Sequence, residues 1–245
     1  MKCKYIPILL LLKMKYILLL LIVVGVLATW FYFQNHQPTL EKQTTQTSLS
    51  VLSDEDEESE CPLEGSAKSE EVKSLNILKN RTAFPTSTDF DTSISLSSIL
   101  AEGNDKDRWQ SASAARIQGY VANVKPGGIE TCNCKSKNID DRDTHIEILL
   151  NPNSDDKIKR LIVEVTPRMR KLMKAKGINW STRALRDDYL GRFVEIEGWL
   201  LFDKEHETQA ENTNPNNTRN WRATAWELHP ITKITKLEKN PNLFR

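Results

Sequence analysis

The 245-residue chain lacks the short motifs by which common enzyme classes are recognised. It has no phosphate-binding loop, no G-x-S-x-G nucleophile elbow, no dinucleotide-binding glycine fingerprint and no kinase signature. The metal-binding patterns H-E-x-x-H and paired C-x-x-C are absent too, and no internal repeat indicates a solenoid or propeller. These absences exclude the chemistries that a local motif can identify, so any active site has to be assembled by the fold.

The chain also has little net charge, but the formal value of +1 hides a segregation along the sequence. Residues 34–103 carry five Lys and Arg against thirteen Asp and Glu, a net charge of −8. Residues 104–245 carry twenty-five against twenty, a net charge of +5. Dedicated nucleic-acid binders usually show denser basic patches with interleaved aromatic residues. The balance argues against nucleic acid as the main partner and predicts a mixed, solvated surface.

What the chain does have is one apolar run, Tyr16 to Phe33, without a charged residue. A helix of this length rises about 27 Å, close to the thickness of a bilayer's hydrocarbon core. Four lysines precede the run, so the positive-inside rule keeps the N-terminus in the cytoplasm. The sequence predicts a cytoplasmic basic segment and transmembrane anchor over residues 1–33, with residues 16–33 in the lipid bilayer of the inner or cytoplasmic membrane. Everything after this single span is then exocytoplasmic.

Two alternatives stay open at the N-terminus. Met14 begins a second copy of the basic, apolar opening pattern and is an alternative start. Val26 and Ala28 fit the −3 and −1 positions of a signal-peptidase site, which would make the run a cleaved signal. The aromatic residues at positions 30–33 favour a retained anchor, since such side chains prefer the membrane interface.

Residues 34–103 are rich in Ser, Thr, Glu and Asp and include an acidic block at residues 54–60. Their hydrophobicity is too low to offset the entropy of ordering, so we expect an acidic, disordered tether extended by its own charge. The exception is Ile94 to Leu100, a short amphipathic piece that can pack against the domain that follows. That folded domain is predicted over residues 104–245.

The hydrophobic pattern of the folded domain predicts five strands, with helices between the third and the fourth strand. This order and the mid-strand glycines Gly119 and Gly198 favour a mainly β, OB-fold-like five-stranded barrel with one or two short helices. The rivals are another small barrel or a β-sandwich. The predicted strands are residues 116–125, 144–150, 161–166, 193–202 and 221–228, with 231–237 extending or following the last; the helices are 168–176 and a second one capped by Ser181 that runs to Tyr189.

Five phrases between Ile117 and Ile234 are distinctive: GGIETCNC (127–134), DTHIEILLNP (143–152), VEVTPR (163–168), EGWLLFD (197–203) and NWRATAWELHPIT (220–232). They resemble an uncharacterised family of bacterial membrane-anchored or exported proteins with an OB-like β-barrel domain. The resemblance implies one bacterial domain and brings no activity with it. The phrase LIVEVTPR is also similar to the strand that opens the active site of staphylococcal-nuclease-like OB domains, but the acid-and-arginine set of that site is not found here.

Three of the four histidines lie in the domain, and each stands beside a predicted strand. Imidazole is a common ligand of zinc or copper, and two cysteines in the loop before the second strand add soft donors. Nearby acids can complete the ligand shell: Asp143, Glu164, Asp203 and Glu227. Two interpretations follow: histidines that cap backbone groups, or a zinc or copper site in a metal-dependent hydrolase with Glu164 as its general base. The candidate metal ligands are His145, His206, His229, Cys132 and Cys134.

The two domain cysteines have other interpretations as well. Thiols of an exported domain tend to oxidise. A disulfide from Cys132 to Cys134 closes a strained ring and suits a loop clip or an easily reduced redox pair. One of the two can instead pair with Cys61, and a metal site that includes His145 is the third option.

Aromatic and charged residues near the last strand suggest a binding face. Trp221 stands beside Arg222, and an exposed aromatic next to arginine on an OB-type face suits the stacking of bases or sugars. The alternative is a tryptophan in the core or at its rim. Glu164, if it faces the groove, pairs with an arginine. The candidate ligand-binding residues are Trp221, Arg222, Arg168 and Glu227.

Taken together, these features favour a membrane-anchored exocytoplasmic binding module for a cell-envelope polymer or protein, a function that rests on analogy of fold. The first alternative is the metal-dependent hydrolase built on His145, His206 and His229. The second is a nucleic-acid-binding OB domain, whose affinity would fall steeply with salt.

Overall fold

The computed structural model describes residues 61–238. The predicted anchor and the first part of the predicted tether, up to residue 60, lie outside the described residues. Across residues 61–238 no helix is both long enough and apolar enough to cross a bilayer.

Five strands close into one barrel in the order β1-β2-β3-β5-β4. Neighbouring strands are antiparallel except β3 and β5, which are parallel. The prediction of a mainly β, five-stranded barrel is confirmed; the described residues contain four short α-helices, where one or two were expected. The strands are β1 (Ala114–Pro126), β2 (Thr144–Leu149), β3 (Leu161–Val165), β4 (Phe193–Phe202) and β5 (Trp226–Lys236); the helices are α1 (Glu70–Lys79), α2 (Leu96–Ile99), α3 (Pro167–Ala175) and α4 (Thr182–Tyr189).

Side chains on β2, β3 and β5 alternate between two faces, as the pleat of a strand requires. One face is apolar and belongs to the core; Ile146, Val163 and Leu228 are completely buried there. The other face carries ionisable groups that are also buried, because loops and the N-terminal segment cover it. This second face, which we call the polar face, consists of His145, Glu147, Glu164, Glu227 and His229.

The prediction of a disordered tether up to residue 103 is wrong for residues 61–103, which are ordered and packed on the barrel. Ile94, Leu96 and Ile99 are buried in the main core, as the amphipathic pattern of that short piece predicts. The rest of the segment is held by other means. Helix α1 begins at the side-chain cap of Ser69 and buries polar residues instead of apolar ones.

Polar contacts and a covalent bond attach α1 to the barrel loops. The Asn80 amide donates to the backbone carbonyls of Leu63 and Cys132, at 2.9 Å each. A disulfide joins Cys61 to Cys134. Low hydrophobicity therefore misled the sequence prediction, because amides and a disulfide supply here the stabilisation that apolar burial usually provides.

The last strand begins later than its sequence pattern predicts. Residues 221–225 form part of the loop that crosses the polar face, and β5 runs from Trp226 to Lys236. The buried side chain of Arg222 explains the shift. Its guanidinium donates to the carbonyls of Thr224 and Trp226, which turns the backbone away from the ladder.

Candidate functional site

Each of the three domain histidines has a carboxylate at its Nδ1 atom. A carboxylate in this position orients the ring and keeps a proton on Nδ1, so Nε2 faces any ligand. The contacts are His145 Nδ1 to Glu164 Oε1 at 3.2 Å, His206 Nδ1 to Asp203 Oδ2 at 2.6 Å, and His229 Nδ1 to Glu227 Oε2 at 3.2 Å.

The three pairs arise from different local structures. His145 and Glu164 are register partners in the β2–β3 ladder, which places them side by side. Glu227 and His229 are two residues apart on β5 and therefore lie on the same face. Asp203 follows β4 and caps a short 3-10 helix, where its other carboxylate oxygen accepts from the backbone of Glu205.

A pocket of about 250 Å³ lies over the polar face. The indole of Trp221 lines it and contacts two imidazoles, with ring centroids 5.5 Å from His145 and 5.7 Å from His206. His145 and His206 therefore line one cavity and contact the same tryptophan. The pocket is lined by Lys125, Pro126, Gly127, Gly128, Glu130, His145, Glu164, His206, Trp221 and Glu227.

Two buried cations neutralise the side of the site that contains Asp203. Lys79 on α1 places its Nζ 3.0 Å from Glu130 and 3.7 Å from Asp203. Arg222 contacts Glu227 at 2.6 Å and Asp203 at 3.8 Å. Burial raises the pKa of Asp203, but these cations and His206 outweigh it and hold that pKa well below its ordinary value.

The pKa of the His206 imidazole is shifted in the opposite direction, upward. Burial lowers its pKa, but the hydrogen bond and the negative charge of Asp203 raise it by more, with a further contribution from Glu227. The net result is a pKa above the ordinary 6.5 of histidine. His206 is therefore a good proton donor near neutral pH, and its ring is still partly exposed to the pocket.

The opposite side of the site contains Asp143, Glu164 and His229, where Arg170 and Lys79 act on the carboxylates only from a longer distance. Among the residues that the structure describes, no Lys or Arg nitrogen lies within 4.0 Å of the Asp143 or Glu164 carboxylate; their ion-pair partners are histidines. One potential ligand atom from each of the three residues lies within 4.8 Å of the other two. We call these three residues the inner triad.

Burial and the charges of neighbouring groups shift the pKa values of the inner triad strongly. Burial is the main reason that the pKa of Asp143 rises to about 7. For Glu164, burial is outweighed by the His145 hydrogen bond and by the charges of His229 and His145, and its pKa falls to about 2. At His229 burial lowers the pKa, but the hydrogen bond to Glu227 and the negative charges of the surrounding carboxylates raise it by more, to about 9. Opposed shifts of this size are typical of functional sites.

Some buried polar atoms of the site have no hydrogen-bond partner within residues 61–238. They are Nε2 of His145, Nε2 of His229 and Oδ1 of Asp143. Buried polar groups are almost always paired, so each exception calls for a ligand, an ion or a water.

The structure does not gather the three histidines into one metal site. In the described part of the chain His206 groups with Asp203 and Glu227, whereas His229 belongs to the inner triad, and neither group includes His145. The expected three-histidine ligand set therefore has to be revised. His145 and His206 both line the pocket and contact Trp221, whereas His229 is completely buried and does not line the pocket.

Cys134 cannot serve as a metal ligand while its sulfur is bonded to Cys61. The pairing of a loop cysteine with Cys61 is thus the alternative that the structure confirms, and a Cys132–Cys134 bridge is excluded. Cys132 is a free, buried thiol; its Sγ lies 3.5 Å from Glu130 Oε2 and 3.7 Å from Asp143 Oδ2. Burial and these acids raise its pKa far above that of an ordinary thiol, so it is a poor nucleophile.

The predicted ligand-binding residues separate into two sets. Trp221 and Glu227 line the pocket. Arg222 is completely buried, does not line the pocket, and forms an ion pair with Glu227. Arg168 lies elsewhere, where its guanidinium donates to the backbone carbonyl of Cys61. Neither arginine pairs with Glu164, whose partners are histidines.

Two residues of the site were missed by the sequence interpretation. Lys79 belongs to the segment that was expected to be disordered, and no local signal marks a lysine that will be buried among acids. Glu130 lies inside the distinctive phrase GGIETCNC, between two glycines and two cysteines, and this position was the available signal.

No protein-family profile, curated protein or solved structure matches this chain. The resemblance to an uncharacterised bacterial family therefore stays a prediction, and the function has to be inferred from the geometry of the site.

Proposed function

We propose that the protein is a hydrolase whose active site is the pocket between His145 and His206. One observation carries the proposal: two imidazoles, each oriented by a carboxylate at Nδ1, open on the same pocket. Hydrolysis needs one group that removes a proton from water and another that protonates the leaving group. A carboxylate-held imidazole is suited to either task.

The surroundings of each imidazole suggest which role it takes. His145 lines the pocket, and its Nε2 has no hydrogen-bond partner within residues 61–238 and lies 3.7 Å from Glu147 Oε1, so this nitrogen can accept a proton from a water molecule in the pocket. Glu164 keeps the ring in place. His206 is the proton donor, because Asp203 raises its pKa. The water oxygen bonds to the electrophilic atom of the substrate, its proton goes to His145, and the departing group takes the proton of His206.

The size of the pocket limits the substrate. About 250 Å³ is below the range of roughly 300–1,000 Å³ that is typical of sites for drug-sized ligands. The substrate is therefore a small polar molecule or the end or side group of a polymer. Lys125, whose ammonium pairs with Glu147 at 2.8 Å, lines the pocket, and Trp221 offers an apolar face.

Strand order and the place of the site support an OB-type assignment. The barrel order β1-β2-β3-β5-β4 with a helix between β3 and β4 is that expected of an OB-fold. The pocket lies on the face of β2 and β3 and under the loops between β1 and β2 and between β4 and β5. OB-folds bind their ligands on the same strands and loops.

The proposed location is the outer side of the cytoplasmic membrane. The Cys61–Cys134 disulfide supports it, since such bonds persist in oxidising compartments. The apolar run of residues 16–33 would anchor the enzyme near a substrate in the cell envelope.

The test is a panel of chromogenic substrates with the full chain in detergent: 4-nitrophenyl acetate, bis(4-nitrophenyl) phosphate, 4-nitrophenyl glycosides and a 4-nitroanilide. We expect turnover of one class and a loss of about 100-fold or more in His145→Gln. The control is Arg183→Ala, whose side chain is 91% exposed on α4. No turnover in the whole panel, or a His145→Gln rate equal to that of the control, would contradict the proposal.

The second candidate is the binding module expected from the sequence. The specific observation in its favour is Trp221, whose indole faces the pocket next to Lys125 and can stack on a sugar or a base. A binding module would show saturable binding that depends on Trp221, with no turnover. Binding that weakens steeply with salt would point instead to nucleic acid.

A further inference from the structure

We infer that a divalent metal ion of the zinc type binds below the pocket, at the inner triad of Asp143, Glu164 and His229. This site goes beyond the proposed hydrolase and does not depend on it, because metal binding can be measured without a substrate. It also replaces the three-histidine site that the sequence suggested.

The geometry of the inner triad suits an ion. The three ligand atoms lie within 4.8 Å of one another. His229 Nε2 and Asp143 Oδ2 are 3.8 Å apart, whereas two ligands on a tetrahedral zinc with bonds of about 2.1 Å stand about 3.4 Å apart. Closing the set therefore needs shifts of only a few tenths of an ångström to about one ångström. Two of the residues are on strands and the third directly precedes one, so the frame is rigid.

Unpartnered atoms give an independent indication. His229 is completely buried and Asp143 is 2% exposed, yet Nε2 of the first and Oδ1 of the second have no hydrogen-bond partner in the described part of the chain. The 3.8 Å between His229 Nε2 and Asp143 Oδ2 is too long for a hydrogen bond. Leaving two such groups unsatisfied is costly, and an ion bound by His229 Nε2 and by both oxygens of the Asp143 carboxylate would satisfy them.

The charges distinguish this site from its neighbour. Asp203, His206 and Glu227 also have ligand atoms close together. There, however, Lys79 and Arg222 already supply positive charge. The inner triad has two buried carboxylates and no lysine or arginine within 4.0 Å among residues 61–238. Within the described residues, the close ion-pair partners of these two carboxylates are histidines, and a metal ion can supply positive charge in their place.

Neighbouring groups hold the proposed ligands in place. Glu227 accepts from His229 Nδ1, which leaves Nε2 for the metal. Asn133 donates to Asp143 Oδ2 at 2.9 Å. Glu164 Oε1 contacts His145, and its second oxygen, which would turn to the ion, lies 3.5 Å from His229 Nδ1. A carboxylate–histidine–metal series of this kind is the usual support of a zinc ligand, and imidazole with carboxylates is a ligand set that zinc accepts.

The test uses the full chain in detergent, stripped with a chelator and titrated with Zn²⁺ alone in a calorimeter. We expect one Zn²⁺ per chain. His229→Gln and Asp143→Asn should each weaken binding by more than 100-fold, and Glu227→Gln by about 10–100-fold because it only supports a ligand. His206→Gln is the matched control from the neighbouring group and should bind as the wild type does.

A second measurement covers variants that fold poorly. Zn²⁺ should raise the thermal midpoint of the wild type and of His206→Gln, and should leave that of the isosteric Glu164→Gln unchanged, with circular dichroism reporting the fold of each. The proposal is overturned if the wild type binds no stoichiometric Zn²⁺, or if His206→Gln loses binding while His229→Gln and Glu164→Gln keep it. Since no substrate is present, neither result depends on whether the protein is a hydrolase.

Discussion

Asp203 Oδ2 lies 2.6 Å from His206 Nδ1, at the start of the loop that covers the polar face. The carboxylate is itself contacted by Lys79 and Arg222, which hold it in the ionised form. A histidine in this position gains a proton more easily than one in water. The relationship makes His206 the acid of the site and provides the first prediction.

The imidazole of His206 should titrate above the ordinary 6.5 in the wild type. In Asp203→Asn the negative charge and the charge-assisted hydrogen bond that raise its pKa are lost, and burial, which lowers it, then dominates. We therefore expect a pKa below 6.5 in the variant. NMR titration of the assigned His206 ring protons measures both values, with circular dichroism confirming the fold. Equal pKa values in the two proteins would show that Asp203 does not control this histidine.

Lys79 should matter greatly for stability although it lies in a segment of low hydrophobicity. Lys79→Met leaves the buried Asp203 carboxylate without one of its cations, and breaking a buried pair in this way typically costs about 3–5 kcal/mol. The control is Lys73→Met on the same helix, whose partner Glu70 is exposed, so little change is expected. Urea denaturation of both variants measures the difference. Similar midpoints would mean that α1 is not packed on the acids.

The Cys61–Cys134 disulfide should stabilise the folded state by about 2–4 kcal/mol, because it closes a long loop in the unfolded chain. The double variant Cys61→Ala/Cys134→Ala should unfold at correspondingly lower denaturant concentration. Reductant should have the same effect on the wild type and none on the double variant. The bond is absent from the protein in solution if reductant leaves the wild-type midpoint in place.

A substitution at Gly119 on β1 tests the contact between α2 and the barrel. A Cβ at this position would stand 2.4 Å from Ile148 Cγ2 and 2.6 Å from Leu96 Cδ2, both in the core. Overpacking of this kind typically costs about 1–3 kcal/mol, so Gly119→Ala should be destabilised by that amount. At Gly128 the nearest atom is 3.8 Å away, and Gly128→Ala should unfold like the wild type. Two indistinguishable unfolding curves would contradict the packing of Leu96 against β1.

The barrel strands were largely predictable because their alternation is a local signal. The bounds expected for β4 agree with the observed Phe193–Phe202, and those of β2 and β3 differ by one residue at an end. The start of β5 was not predictable. The apolar residues near Trp221 alternate as in a strand, but a buried Arg222 directs the chain into a loop, and the acid that binds it can be known only from the fold.

The site was predictable in its residue types and not in its grouping. Histidines beside strands and Glu164 were recognisable from the sequence. Their partners depend on strand register and on the parallel pairing of β3 with β5, which joins segments far apart in the chain. Lys79 and the disulfide come from a segment whose composition resembles that of a disordered chain. Composition alone does not show where a polar segment finds polar partners.

The assignment of His145 as base and His206 as acid is tested most directly by the leaving-group dependence of His206→Gln. Within the substrate class that the enzyme turns over, kcat/KM is measured for a 4-nitrophenyl compound and for the corresponding methyl compound. A good leaving group departs without a proton, so His206→Gln should stay within a few-fold of the wild type on the first and lose about 100-fold or more on the second. His145→Gln should lose both activities. Equal losses on the two substrates in His206→Gln would contradict the account.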